Sequence, residues 1–211
     1  ASAAPRRWRW CVPATGRYPN LGVAVRNRRN VAVIGAGPSL DRIPGPAALL
    51  EGKVVIAADG ACSWLRKHGI LPSLVVTDLD GNPDDLAWAA QAGAFMVAHA
   101  HGDNRAAISK LAPQLGPQLY GSYQGPPLPE LAPMENFGGF TDGDRAVVLC
   151  EHLGARQVTL LGFDFQESPS DYSHKWDPAT KPAKLAWAER IIGEVQGRGS
   201  CAVVRYVPSP A

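Results

Sequence analysis

The fold is decided by the stretch VAVIGAGPSL, residues Val31–Leu40, in which a short apolar run leads into a loop that contains two glycines. A continuous apolar run bounded by glycine is typical of a strand that is buried on both faces, as in parallel sheets. Runs of the same kind predict further strands at Val54–Ala58, Leu74–Thr77, Phe95–Ala98, Val158–Leu161 and Ala202–Val207. The stretch therefore predicts the first strand of a largely parallel sheet.

Segments of helical character lie between these strands. We predict helices at Ala61–His68, Asp84–Gln91, Arg105–Leu111, Asp144–Leu153 and Lys184–Val195. Neighbouring parallel strands must be joined across a face of the sheet, and a helix is the usual crossover. The alternation therefore predicts a single α/β domain over residues 31–211, with a doubly wound, mostly parallel, Rossmann-like sheet and helices on both faces. Residues 1–30, which are rich in arginine, are predicted to form an arm or a remnant helical segment.

Composition excludes several classes of function. The 211 residues carry a net charge of only +2, and no apolar run approaches the ~20 residues of a membrane span, so we expect neither a nucleic-acid partner nor a membrane partner. The four cysteines, Cys11, Cys62, Cys150 and Cys201, are scattered and form no C-x-x-C pair. This spacing favours neither a disulfide framework nor a zinc site, and it predicts a reducing, cytoplasmic location.

Polar residues follow the predicted strands one after another. Asp59 follows the second strand, Asp78 and Asp80 follow the third, and Asp164 follows the strand that ends at Leu161. Open α/β sheets bind ligands at the carboxyl ends of their strands. The recurrence therefore predicts one composite site along that edge.

The glycine loop after the first strand has two interpretations. Its backbone N–H groups near a helix start are predicted to hold phosphate, which makes Gly35, Gly37, Pro38 and Ser39 candidate nucleotide-binding residues. The loop also resembles the dinucleotide pattern G-x-G-x-x-G without its third glycine, and Asp59 stands where an acid would bind a ribose. A Rossmann-type NAD(P)-dependent oxidoreductase is therefore an open alternative.

Two pairs of acids share an i, i+2 spacing. If the chain is extended at Asp78 and Asp80, both carboxylates point to the same side and suit Mg²⁺, and an Asx turn is the open alternative. Asp142 and Asp144 repeat the spacing, and Arg145 adds a forked cation that suits phosphate. Asp142 could instead be only a helix N-cap.

Two histidines alternate on the fourth predicted strand. A zinc site at His99 and His101 is disfavoured because no third soft ligand has suitable spacing. We expect His101 to contact a phosphate or a nucleotide, and His99 to be a satisfied strand-end histidine. The Pro- and Gly-rich connection at residues 121–140 is long enough to be functional, and we interpret it as a lid.

Several blocks, in this order, resemble one known family. The blocks are Gly35–Leu40, Ala58–Ala61, Val76–Gly81, His99–Asn104 and Asn136–Ala146. They are similar to the archaeal-type 6-hydroxymethyl-7,8-dihydropterin pyrophosphokinases, the MptE-like group of the wider DUF115 proteins. A more distant similarity is to the catalytic domains of thiamin pyrophosphokinases.

The resemblance implies a Mg²⁺-dependent enzyme that transfers diphosphate from ATP to the hydroxymethyl group of 6-hydroxymethyl-7,8-dihydropterin and releases AMP, in tetrahydromethanopterin or folate biosynthesis. It carries over the matching positions Asp59, Asp78, Asp80, Asp103, Asn104, Asp142, Asp144 and Arg145. We expect metal binding by Asp78 and Asp80, and catalytic roles for Asp142, Asp144 and Arg145. Nucleotide contacts are expected from Asp59, His101, Asp103 and Asn104. A thiamin pyrophosphokinase-like transferase and a non-catalytic nucleotide-binding DUF115 relative stay open, as does a homodimer.

Overall fold

The computed structural model describes residues 30–126, 129–131, 134–165, 170–173 and 177–209, so the predicted arm lies outside the described residues except for Asn30. The strands are β1 (Asn30–Ile34), β2 (Val54–Ala58), β3 (Leu74–Thr77), β4 (Phe95–Ala100), β5 (Leu119–Tyr123), β6 (Gln157–Leu161) and β7 (Ala202–Arg205). The α-helices are α1 (Pro46–Leu50), α2 (Ala61–Lys67), α3 (Pro83–Gln91), α4 (Arg105–Leu111), α5 (Asp142–His152) and α6 (Lys181–Arg198). Short 3-10 turns occupy Pro38–Arg42, Ala112–Gln114 and Pro129–Leu131.

The seven strands of the described residues form one parallel sheet in the order β5-β4-β3-β2-β1-β6-β7. The central strand β1 pairs with β2 through Val31 and Val54 and with β6 through Val31 and Val158. The chain therefore runs outward from β1 to β5, returns across the sheet to β6, and continues in the opposite direction. This reversal creates a switch point between β1 and β6, where such sheets place their ligand crevice.

Both faces of the sheet are covered by helices, as predicted. Val31 and Val33 point into one apolar cluster, which is completed by residues of α5 and α6. Ala32 and Ile34 point into a second cluster on the other face, which is completed by residues of α1 to α4. The apolar run of β1 is continuous because consecutive side chains enter two different cores.

One strand was not predicted. Strand β5, with the sequence LYGSY, lies next to β4 and is only partly buried at its first three residues. Gly121 and Ser122 interrupt its apolar pattern, and beyond β4 it meets only an isolated bridge from Glu135 among the described residues. The interpretation of residues 121–140 as one long lid is wrong at its start, because Gly121–Tyr123 belong to the sheet.

Helix α1, a short helix between β1 and β2, was not predicted either. The other differences concern ends of elements. Helix α6 begins at Lys181 and ends at Arg198, so it is longer than the predicted Lys184–Val195, while β7 ends at Arg205. In the described part of the chain, no helix combines the length and apolar character needed to cross a membrane.

Candidate active site

A cleft of about 590 Å³ opens at the carboxyl ends of the strands. Its walls come from the loops that follow β1, β2, β3 and β6, from the end of β4, and from the starts of α5 and α6. The predicted residues Gly35, Gly37 and Pro38 line it together with Asp164. The sheet therefore brings the separate polar loops to one place.

Thr77, which is fully buried, fixes the ends of two neighbouring strands. Its hydroxyl donates to the carboxylate of Asp59, which follows β2, and accepts from the backbone N–H of Leu79 at 2.7 Å. Asp59 and Leu79 both have positive φ, at 39° and 68°. Non-glycine residues adopt such angles rarely, and they cluster at functional sites.

Three carboxylates converge in the cleft. One oxygen from each of Asp59, Asp78 and Asp142 lies within 4.8 Å of the other two, and we call these residues the acidic trio. Burial and then the charges of Asp80 and Asp78 raise the pKa of Asp59 to about 7. Burial also raises the pKa of Asp78, and burial with the nearby charge of Asp59 raises the pKa of Asp142 well above its usual value. Mutual repulsion of this kind is relieved by a bound cation.

The turn between Asp78 and Asp80 corrects the extended geometry expected from their spacing. Positive φ at Leu79 bends the chain, and the N–H of Asp80 donates to Asp78 Oδ1 at 3.2 Å, which is the Asx-turn alternative. Asp80 lines the cleft but lies outside the acidic trio, whose third member is Asp59. The i, i+2 spacing therefore pointed to one member of the trio, Asp78, and to a charged residue beside the trio, Asp80.

The start of α5 separates two acids that the sequence treated alike. Thr141 is the N-cap, and Asp144 completes a capping box by accepting from the N–H groups of Phe140 at 2.6 Å and Thr141 at 2.7 Å. Asp144 is fully buried and does not line the cleft, whereas Asp142 does. This position favours a structural role for Asp144 instead of the expected catalytic role, and it excludes Asp142 as the N-cap.

Arg145 is a buried cation in the cleft wall, with 2% of its surface exposed. Its Nη1 donates to the Gly138 carbonyl at 3.0 Å, and its Nε has no hydrogen-bond partner among the described residues. Burial lowers the pKa of Arg145, while the charges of Asp142, Asp144 and Asp78 oppose this shift. Arg145 therefore offsets part of the negative charge of the trio.

Three N–H groups of the glycine loop that were predicted to be free form hydrogen bonds within the chain. Gly35 donates to the Leu161 carbonyl at 2.8 Å, Gly37 donates to the Gly162 carbonyl at 2.9 Å, and Ser39 donates to Asp164 Oδ2 at 2.8 Å. These bonds join the loops after β1 and β6 at the switch point. Ser39 is buried outside the cleft wall.

The glycines of this loop allow a close approach of the two chains. A Cβ atom on Gly37 would lie 2.5 Å from the Gly162 carbonyl oxygen, and one on Gly35 would lie 2.6 Å from the same atom. A dinucleotide would need the N–H groups that this contact uses. The arrangement argues against the oxidoreductase alternative.

Of the residues that follow β4, some line the cleft and others hold the ends of the strands in place. His101 lines the cleft, and its ring contacts Asp103 and also Asp78, at 3.4 Å from Nε2 to Oδ2. Asn104 donates to the carbonyls of Asp78 at 2.8 Å and His99 at 2.7 Å, so it braces the ends of β3 and β4. Asp103 and Asn104 lie outside the cleft wall, a position that favours a supporting role over the expected nucleotide contacts.

Two lysines in the cleft were missed. Lys181 and Lys184, at the start of α6, line the cleft on the same side as Leu185 and Ala188. In the sequence they follow a polar loop and are indistinguishable from solvated helix residues. Had the helix been predicted to begin at Lys181, as it does, and not at Lys184, both lysines would have been placed in its first turn, next to the predicted site.

Comparisons with known proteins point to one family. The family model described as 6-hydroxymethylpterin diphosphokinase MptE-like matches residues 15–170. Three curated relatives are named 6-hydroxymethyl-7,8-dihydropterin pyrophosphokinase. The protein from Methanothermobacter thermautotrophicus is 41% identical over 182 residues, covering 82% of this chain and 77% of the relative. The relative from Pyrococcus furiosus is 39% identical over 184 residues, covering 84% of this chain and 77% of the relative. The relative from Methanocaldococcus jannaschii is 36% identical over 183 residues, covering 81% of this chain and 76% of the relative.

Proposed function

Because the chain belongs to the MptE-like family of 6-hydroxymethylpterin diphosphokinases, we propose that it transfers diphosphate from ATP to the hydroxymethyl oxygen of 6-hydroxymethyl-7,8-dihydropterin and releases AMP. The observation that carries this proposal is the convergence of Asp59, Asp78 and Asp142 on one cleft at the carboxyl edge of the sheet. The product is an intermediate for tetrahydromethanopterin or folate synthesis. The free, buried thiols of Cys62, Cys150 and Cys201 accord with a reducing cytoplasm.

The acidic trio fits Mg²⁺. Its donors are all carboxylate oxygens, which hard cations prefer, and the raised pKa values mark a place where negative charge lacks compensation. Mg²⁺ typically takes one or two carboxylates, several waters and the phosphates of a substrate. When bound, it neutralises charge on the transferred diphosphate.

The cations of the cleft hold the phosphates. Lys181 and Lys184 stand at the start of α6, and Arg145 stands in the wall at α5. Lysine binds phosphate as a point charge, and arginine binds it through a planar fork. The nucleotide lies at the switch point, against Gly35, Gly37 and Pro38.

At the β-phosphorus the reaction forms one bond and breaks one. The hydroxymethyl oxygen of the pterin bonds to the β-phosphorus and releases its proton to solvent, while the bond from the β-phosphorus to the oxygen that bridges to the α-phosphorus breaks. AMP leaves with that oxygen and its electron pair. We assign the orientation of the hydroxyl to Asp142, the trio member on α5. Such transfer depends mostly on positioning and charge stabilisation.

Product analysis tests the proposal. Purified protein is incubated with ATP, MgCl₂ and 6-hydroxymethyl-7,8-dihydropterin, and nucleotides are separated by anion exchange. We expect AMP and a pterin diphosphate in equal amounts, and no AMP when thiamin replaces the pterin. Formation of ADP, or the absence of nucleotide turnover, would contradict the proposal. An absorbance spectrum of the purified protein checks separately for a bound flavin or nicotinamide.

A further inference from the structure

The carboxyl edge of the sheet arranges its functional groups in a line. The switch point lies at β1 and β6, Asp59 and Asp78 follow β2 and β3, and β4 and β5 lie beyond them. If the nucleotide occupies the switch point, the acceptor must approach the trio from the other side. We propose that the acceptor binds on the β4–β5 side of the trio, with Nε2 of His99 as its buried hydrogen-bonding contact. This inference rests on the proposed diphosphate transfer.

His99 is buried to 3% exposure in the wall of the cleft. Its Nδ1 lies 3.1 Å from the Ser122 hydroxyl on β5, but its Nε2 is buried without a hydrogen-bond partner among the described residues. The expectation that His99 is a satisfied strand-end residue therefore holds for only one ring nitrogen. Leaving a buried nitrogen without a partner is unfavourable, so it marks a place where a ligand group belongs.

The imidazole of His99 is neutral. Burial lowers its pKa to about 3, and the nearby charges of Arg145 and His101 act in the same direction. In a neutral imidazole one nitrogen donates and the other accepts. Because the Ser122 hydroxyl can do either, Nε2 can meet a donor or an acceptor on the ligand without a change of charge.

A second cavity of about 500 Å³ adjoins the cleft on this side. His101 and Gln124 line both spaces, and the second cavity is otherwise walled by groups such as Tyr123, Leu131 and Met134. A Cβ on Gly121 would lie 2.8 Å from Met134 Cγ, so this glycine lets Met134 pack directly on β5. This open cavity thus offers apolar side chains against which a flat heterocycle can pack.

The position of His101 links this cavity to the reacting groups. Its Nε2 lies 3.4 Å from Asp78 Oδ2, and its ring stacks on that of His99 with centroids 6.1 Å apart. An acceptor whose ring fills the second cavity therefore reaches the trio at Asp78 by passing the two histidines. The hydroxymethyl group is the part that meets the trio.

Separate measurements for the two substrates test this inference. We compare His99→Leu, His99→Gln and, as the matched control, His152→Gln, which removes another buried ring nitrogen without a described partner but lies outside the cleft. His99→Leu is expected to lower kcat/KM for the pterin at least ~10-fold, because one buried hydrogen bond to the pterin is lost. KM for ATP should stay within ~2-fold of the wild-type value. His99→Gln should recover part of the loss, and His152→Gln should resemble the wild type.

Binding of 6-hydroxymethylpterin, followed by its fluorescence without ATP, gives a readout that does not need turnover. We expect weaker binding by His99→Leu and by Leu131→Trp, which fills the second cavity, and thermal unfolding verifies that each variant is folded. Unchanged pterin binding in both variants overturns the inference, as does a loss confined to ATP. If the wild type binds the pterin but forms no AMP, the proposed transfer fails while the acceptor site stands.

Discussion

Asp78 and Asp80 are separated by a single residue, yet the structure gives them different positions. Asp78 belongs to the acidic trio, and Asp80 lies beside it in the cleft wall. Asp80 acts on the trio through its charge, because it raises the pKa of both Asp59 and Asp78. A direct ligand and a charged neighbour differ in how strongly they affect metal binding.

We therefore predict an ordered effect on Mg²⁺ binding measured by calorimetry in the presence of a non-hydrolysable ATP analogue. Asp78→Asn should weaken Mg²⁺ binding by more than ~100-fold, because it removes a direct ligand. Asp80→Asn should weaken binding by ~10-fold, a loss typical of residues that support the ligands without contacting the metal. Asp84→Asn, an exposed carboxylate on α3, is the matched control and should have no effect. Equal losses for Asp78→Asn and Asp80→Asn would contradict the assignment.

At the scale of single elements, α5 depends on its first turn. The Asp144 carboxylate accepts from two backbone N–H groups that precede the helix and from the Thr141 hydroxyl. Buried helix ends need such partners because their first N–H groups have none within the helix. The same turn places Asp142 in the cleft, so a structural residue controls the position of a trio member.

Replacing Asp144 with Ala should lower the free energy of unfolding by about 2 kcal/mol, measured by urea denaturation. The AMP-forming rate per folded molecule at low temperature should fall far less than in Asp142→Asn. A variant that keeps full stability but loses all activity would restore the catalytic role expected from the sequence.

Glycines at two places in the fold should respond oppositely to alanine. Gly37→Ala places a methyl group against the Gly162 carbonyl at the switch point, so we expect a loss of about 2 kcal/mol in unfolding free energy. Gly193→Ala, within α6, meets nothing within 4 Å and should stabilise the protein by about 0.5–1 kcal/mol. A tolerated Gly37→Ala would show that the two loops are not held in contact.

At the scale of the whole molecule, the acidic trio makes stability depend on pH. The pKa of Asp59 is raised from 3.8 to about 7, so the folded state keeps a proton that the unfolded state has lost. The resulting contribution to stability is fully present below pH 3.8 and is lost as the pH rises through about 7. Without metal, therefore, the melting temperature should fall between pH 5 and pH 8.

Asp59→Asn should flatten this dependence and make the metal-free protein more stable at pH 8, on the order of 2 kcal/mol. Mg²⁺ should stabilise the wild type more at pH 8 than at pH 5, because it binds the deprotonated carboxylates. Thermal unfolding over this range, with and without MgCl₂, checks both expectations. An identical pH dependence in Asp59→Asn and the wild type would contradict the raised pKa.

The sequence predicted most of the fold because each central strand is an apolar run bounded by polar loops. Strand β5 escaped detection since Gly121 and Ser122 break its pattern at the edge of the sheet. The position of Asp142 and Asp59 in one trio depends on contacts between loops that are far apart in sequence, which local patterns do not encode. The use of the Gly35 and Gly37 N–H groups by the chain itself was hidden for the same reason.

We propose that the acidic trio supports Mg²⁺-dependent diphosphate transfer. The most direct measurement is the rate of AMP formation from ATP and 6-hydroxymethyl-7,8-dihydropterin as a function of Mg²⁺ concentration, for the wild type and Asp142→Asn. We predict saturable dependence on Mg²⁺ in the wild type and a rate at least ~100-fold lower in the folded variant at every concentration. Equal rates in the two proteins, or AMP formation unaffected by removal of Mg²⁺, would contradict this role of the trio.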